Sequence, residues 1–464
     1  RLGESLSQSI YESLNKAQLL SASSAYQSFA SPRRLAVLIS DVLDQAPDYP
    51  VREKLLPLSI AFDTQGKPSQ ALTKKLVSLG HPDTPLDQLE RSGEGKNEAL
   101  YLNTIATGAR LESALQQALI TAIDHLPIAK MMHYQITVPS GAIEEVQFAR
   151  PVHRIIALHG SKTLAIHALG IDASKQTEGH RFLSSGMMTI SDAQQYESQL
   201  ESAKVIASFG KRRAYIESEL QKAAKGLRVL MPDALLDEVT ALVEYPAIYS
   251  CEFDPEFLEV PQECLILTMQ TNQKYFALTN QDGKLSNRFL IVSNIQTDQP
   301  ESIISGNERV IRPRLADARF FYLQDQKRTL ESRIPDLAKV IYHNQLGNQL
   351  QRSERVRALA NEIASNLNQA GSQLKLQEVD RAAQLAKADL LTEMVGEFPE
   401  LQGVMGRYYA LANHEAPDVA AACYEHYLPR FAGDSLPQTL VGTVLAIADK
   451  LETIIGIWGV GLAP

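Results

Sequence analysis

The 464-residue sequence predicts an α+β chain, with mixed α and β structure to about residue 312 and an all-α region over 313–464. Three observations carry that reading. Apolar residues recur at helical spacing at Leu2, Leu6, Ile10 and Leu14, and again at Leu111, Leu115, Leu119 and Ile123. Aliphatic and β-branched runs bounded by turn formers alternate with such helical stretches as far as Val292. Beyond Arg312 the strand signals stop, and helical patterning continues to Asp449 and past it.

Taken in order, RLGESLSQSIYESLNKAQL is a helix, and SPRRLAVLISDV is a strand over 35–42 entered through a proline. FDTQGKPSQA is a loop of turn formers, and ARLESALQQALITAIDHLPI is an amphipathic helix. Strands follow over 152–158 and in TLAIHALGI, and a first mixed region is placed at 1–175. A second, 176–312, begins with helix over 196–230; Pro246 stops any helix in VEYPAIYS. CLILTMQTNQKYFALTNQDGKLSNRFLIVSNI alternates apolar and polar residues and turns at Asp282-Gly283, the pattern of strands paired from 265 to 292. Pro313 suits the first position of a helix and Arg312 before it an extended backbone. The helices after it break near 396–399, 414–417 and 431–437.

Composition bounds the function classes. A hydrophobic share of 44% and a charged share of 21% are those of a globular protein, and no run of about 18 apolar residues offers a membrane span. Three cysteines, Cys251, Cys264 and Cys423, with no C-x-x-C pair, point to reduced thiols in the cytoplasm, not to a disulfide framework or a cysteine zinc site. Arg1 in place of Met and the glycine-punctuated end GIWGVGLAP suggest a piece of a longer polypeptide. A net charge of −9, from 45 basic against 54 acidic residues, opposes indiscriminate nucleic-acid binding, so local charge is what matters.

Local charge concentrates in NERVIRPRLADARFFY, residues 307–322, where Arg309, Arg312, Arg314 and Arg319 stand beside three aromatic rings. Guanidinium forks suit phosphate, and a helix N-terminus favours the same anion. The alternative is bracing: Arg314 on Asp317, Arg309 on Glu308 or a distant carboxylate. Smaller basic clusters are SPRRL (Arg33, Arg34), ARPVHR (Arg150, His153, Arg154), GHRF (His180, Arg181) and GKRR (Lys211, Arg212, Arg213), each a phosphate contact or an ion-paired edge. No phosphate loop, dinucleotide fingerprint or nucleophile elbow is present, and neither adenylate-forming signature appears, so no catalytic residue is assigned. His343, Asp389 and Asp449, expected on three separate helices, resemble the ligand order of the HD superfamily of metal-dependent phosphohydrolases. Ala388 stands where that family's paired histidine belongs, which leaves the set degenerate and assigns no metal.

Longer matches identify a family. SPRRLAV, AFDTQGKPSQA, FARPVHRIIAL, GHRFL, VEYP, FLEVPQECLILTMQTNQKYFAL, GNERVIRPRLADARFFY, LAKADLLTEMVGEFPELQGVMGRYYA, EHYLPRFAGDSLP and ADKLETIIGIWGVG run nearly end to end. Together they resemble the beta subunits of bacterial heterotetrameric glycyl-tRNA synthetases. The resemblance implies a tRNA-binding subunit that forms no adenylate and assembles as two alpha and two beta chains. It places ATP, magnesium and glycine on the alpha subunit, with no cofactor on this chain. It also implies an editing-domain-like module in the mixed region, a degenerate HD-like fold over 313–464, and a C-terminal anticodon-binding region that this sequence lacks. Its tRNA-binding candidates are Arg309, Arg312, Arg314, Arg319, Arg33, Arg34, Arg150, Arg154 and Arg181. Two other readings stay open: an HD-type phosphohydrolase, and a hydrolase that edits misacylated tRNA in a pocket formed by the 265–292 strands.

Overall fold

Helical spacing at the start of the chain becomes helix α1 (Leu2–Lys16), which buries Leu6, Ile10 and Leu14. The computed structural model describes residues 1–63, 66–93, 98–137 and 141–463. Two units divide them: Arg1–Ala214 with Thr240–Tyr245, and Tyr215–Val239 with Pro246–Pro464. The FDTQGKPSQA loop falls partly outside the described residues, at 64–65.

In the first unit α1 packs against a hairpin of β1 (Tyr26–Ser31) and β2 (Arg34–Ile39). Ser31 pairs with Arg34, so Pro32 and Arg33 form the two-residue tip. A three-stranded antiparallel sheet follows, with β5 (Ala99–Ala106) between β3 (Tyr49–Pro57) and β4 (Glu90–Ser92). Helix α2 (Gln70–Ser78) covers it through Leu72 and Leu76, and Ser69 caps α2 by accepting from Leu72 N. Helix α3 (Leu111–Asp124) packs on α1. The strands expected over 152–158 and in TLAIHALGI shrink to two-residue pairings such as Ile155–Ile156 and Leu158–His159, because the chain turns at Gly160 and Gly170 before a ladder can lengthen. Between them and α3 lies the hairpin of β6 (Met132–Thr137) and β7 (Ile143–Phe148). A further hairpin, β8 (Gln176–Glu178) with β9 (Met187–Thr189), holds the GHRF segment in its loop.

The helical stretch expected over 196–230 is two helices, α4 (Tyr196–Ser202) and α5 (Phe209–Ala223). Between them Lys204 takes a left-handed conformation, and Val205 and Ala207 drop into a core with Phe29 and Leu200.

The second unit is built on a four-stranded antiparallel sheet in the order β10 (Arg228–Val229), β12 (Phe276–Thr279), β13 (Leu285–Ser293), β11 (Ala247–Glu252), with α6 (Asp233–Thr240) preceding β11 in the chain. The hairpin over Asp282-Gly283 forms as expected, between β12 and β13. Upstream of it the expected strand is helix α7 (Gln262–Gln273). Cys264, Leu265, Thr268 and Met269 are buried at the i, i+1, i+4, i+5 spacing of one helix face, and a short apolar run cannot be told from a strand by alternation alone.

Helix α8 (Glu301–Asp325) overturns a second expectation. Pro313 lies inside it and Arg312 is helical. A mid-helix proline forfeits one hydrogen bond and costs about 3 kcal/mol, but tertiary burial outweighs it. Ile304, Ile311, Leu315, Ala318 and Tyr322 keep helical spacing straight through the proline and pack into the unit's core.

The region after α8 is helical, with one exception. The strand β14 (Ile341–His343) pairs with β15 (Gly347–Asn348), so His343 sits on a hairpin and not on a helix. Asn348 then closes a capping box with Gln351 and starts α9 (Gln349–Gln369) at that point. Helices α10 (Leu376–Leu385), α11 (Val404–Ala412), α12 (Pro417–Glu425) and α13 (Leu440–Gly459) complete the bundle, with α9 packed on α10 and α13. Among the described residues no helix is long and apolar enough to cross a membrane.

Candidate nucleic-acid interface

Three basic motifs far apart in sequence meet on the first unit. Arg33 is exposed at the tip of the β1–β2 hairpin, and Arg34 follows it at the start of β2. Arg34 turns inward: its guanidinium pairs with Glu244 and also donates to the carbonyls of Glu178 and Gly179, at the end of β8. Glu244, from VEYP, is buried and also accepts from Ser31 Oγ at 2.6 Å. Arg34 thus ties the SPRRL hairpin to the GHRF loop. Arg154 reaches Glu178 Oε1 at 2.9 Å from the ARPVHR segment. That hydrogen bond, with the fields of Arg154, Arg33 and His153, holds the Glu178 carboxyl below the usual carboxylate range.

Arg33, His153, Arg154 and Arg181 are all exposed, so this surface carries more positive charge than the one carboxylate at its centre balances. Arg181 lies 5.5 Å from the ring centroid of Phe182, which is also exposed. Arg150 is exposed and forms no ion pair among the described residues. Phe182, Glu178 and Glu244 escaped sequence reasoning. An aromatic in a polar, turn-rich loop was the signal for the first; nothing short of the pairing pattern marks the other two.

Arg212 answers differently. It is fully buried, and donates to the carbonyls of Thr240 (3.0 Å), Ile206 (2.6 Å) and Ala30 (2.8 Å). Burial pushes its pKa down to about 10. It braces the fold, while its neighbour Lys211 pairs with Glu197 at the surface.

On α8 the four arginines separate into two pairs. Arg312 meets Asp254 at 2.7 Å, and Arg319 meets Glu256 and Glu259 at 3.4 Å. Arg309 and Arg314 are exposed and make no ion pair among the described residues. The pairing considered between Arg309 and Glu308 does not form; Glu308 accepts from the backbone of Glu252 at 2.8 Å. Val310, Phe320 and Leu323 are exposed on the same helix, so its outer side is both basic and apolar.

The HD-type positions do not assemble a metal centre. No group of three or more His, Cys, Asp or Glu among the described residues could hold an ion. His343 is occupied locally, its Nδ1 accepting from Gln345 N. Asp389 is buried, with Oδ2 accepting from Gly403 N (2.6 Å) and Gly406 N (3.1 Å) while Oδ1 has no hydrogen-bond partner among the described residues, and burial pushes its pKa up to about 6. Asp449 already faces two cations: Arg352 Nη2 at 3.0 Å and Lys387 Nζ at 3.2 Å. Lys387 is buried beside the Tyr427 ring, and desolvation brings its pKa down to about 8. A divalent ion would have to displace that ammonium, so these residues do not fit a bound metal.

Comparison with known proteins adds a family. Residues 1–464 match the family described as glycyl-tRNA synthetase beta subunit. The chain is similar to the glycine–tRNA ligase beta subunit of Ralstonia nicotianae, 54% identical over 469 residues, covering 100% of this chain and 66% of that one. It is also similar to the proteins of the same name from Paracidovorax citrulli, 50% identical over 475 residues, and Thiobacillus denitrificans, 49% identical over 468, each covering 100% of this chain and 66% of the relative. The chain thus spans just under two thirds of the length of these relatives.

Proposed function

The chain belongs to the glycyl-tRNA synthetase beta-subunit family, and from that premise we propose that it is the tRNA-holding, non-adenylating part of a glycine–tRNA ligase. In this reading glycine activation, with its ATP and magnesium, occurs on an alpha subunit, within a cytoplasmic assembly of two alpha and two beta chains. The sheet-containing region supplies an editing-domain-like module without editing residues, and the helices an HD-like fold without metal chemistry.

The observation that carries the proposal is the convergence of SPRRL, ARPVHR and GHRF around Glu178 on a single basic surface of an otherwise acidic protein. Such a surface grips a phosphate backbone wherever its guanidiniums are free to replace counterions. Arg33, Arg150 and Arg181 are the exposed forks for that task, with Arg154 shared between Glu178 and RNA. Holding the acceptor end of a tRNA near an active site on another chain makes attack on the adenylate effectively intramolecular, which is how a subunit without catalytic residues raises a rate.

Two measurements test this on the full-length chain with its alpha subunit. Glycylation of tRNA(Gly) requires the beta chain, and the beta chain alone forms no glycyl-adenylate. In tRNA binding over a range of salt, Arg33→Ala with Arg154→Ala lowers affinity and reduces the slope of log K against log salt by about one per lost contact. Arg309→Ala with Arg314→Ala applies the same test to α8. Salt slopes unchanged in both pairs would refute the assignment of these surfaces to RNA.

A further inference from the structure

Phe182 is an anomaly that packing does not explain. It is 66% exposed, in the loop between β8 and β9, where a flexible polar residue would serve a mere connection. Its backbone is nevertheless fixed. His180, buried beneath it, accepts through Nδ1 from both Phe182 N and Leu183 N at 3.2 Å. His180 N donates to Ala203 O, and Ser184 N donates back to His180 O. Gly179 admits no side chain, since a Cβ there would lie 2.7 Å from the Cβ and the carbonyl oxygen of Ala203. A buried imidazole and a close backbone approach therefore hold an apolar ring out in solvent.

The surroundings indicate what the ring is for. Arg181 stands at 5.5 Å from its centroid, and the same loop is tied by Arg34 to the surface bearing Arg33, Arg154 and His153. A rigid aromatic with an adjacent guanidinium, set in a basic surface, is how proteins receive an unpaired base while gripping the backbone around it. Met187, which pairs with Glu178 across the hairpin, is exposed as well, but two apolar side chains set among basic ones fall short of the contiguous patch that marks a protein contact.

We propose that Phe182 is a stacking residue, which receives one unpaired nucleobase of tRNA while Arg181 and its neighbours hold the flanking phosphates. The inference rests on the reading of this chain as a tRNA-holding subunit.

The test uses the full-length beta chain assembled with its alpha subunit, and tRNA(Gly) as the probe. Phe182→Ala lowers tRNA affinity by about tenfold with no change in salt slope, because a ring releases no counterions. Phe182→Leu, which keeps apolar area and loses the ring face, fails equally. Phe182→Trp retains binding, and its assembly shows a quenching of fluorescence on adding tRNA beyond that of the wild-type assembly, measured side by side. Unchanged affinity in Phe182→Ala, or full recovery in Phe182→Leu, overturns the stacking role. So does a Phe182→Ala chain that binds tRNA normally but loses its alpha subunit, which would assign the ring to a protein contact. A wild-type assembly that binds no tRNA removes the proposed function itself, and is distinguishable from all of these.

Discussion

Asp389 shows what burial does to a single group. Burial outweighs the two backbone N–H groups that Oδ2 accepts from, and Oδ1 has no partner among the described residues, so the folded protein takes up its proton at about pH 6, against 3.8 for an ordinary aspartate. A carboxyl raised in this way contributes stability that is fully present below the unfolded pKa and is lost as pH climbs through the folded one. Asp389→Asn removes the titration. Its stability relative to wild type is expected to rise by about 1.4 kcal/mol per pH unit between roughly pH 4 and 6 and to level off above. Urea unfolding at a series of pH values checks this, and a pH-independent difference would contradict it. At this scale the sequence was least legible. Arg212 and Arg33 stand in similar basic clusters, yet one is fully buried against carbonyls and the other exposed at a hairpin tip. A guanidinium looks the same on paper whether it will face peptide oxygens or phosphate oxygens; only the tertiary fold decides. Lys387 carried no signal at all, because nothing in a lone lysine says that the last helix of the bundle will bring Asp449 to it.

Elements were read best where a periodic apolar face was long. Helices α1 and α3 appear where their spacing put them, and the β12–β13 hairpin turns at the Asp-Gly pair. Failures came where local rules met a competing tertiary demand. The run in α7 was short enough to read as a strand, and Pro313 signalled a helix start where α8 passes straight through. That second case has a measurable consequence. Pro313→Ala restores an N–H to pair with the carbonyl of Arg309 and relieves the ring clash, offset in part by greater freedom of the unfolded chain. The expected gain is about 2 kcal/mol by denaturant titration. If tRNA binding falls in the same variant, the helix is set by its outer face as well as by its core.

For the molecule as a whole, charge is distributed against its own average. A net charge of −9 keeps nucleic acid off most of the surface, while SPRRL, ARPVHR and GHRF are gathered in three dimensions. The motifs were visible in the sequence; their meeting was not, because it depends on Arg34 binding the carbonyls of Glu178 and Gly179 some 144 residues along the chain. The α+β character was equally visible, and the hairpin at His343 was the exception within the helical region.

Lys387 has one more implication for this architecture. With its ammonium against Asp449, the positive charge needed there is covalently attached and cannot diffuse away. The second unit is therefore expected to be insensitive to ion supply, with the same melting temperature in excess chelator as in millimolar manganese. A shift of several degrees on stripping divalent ions would show that the lysine is not the counter-charge it resembles.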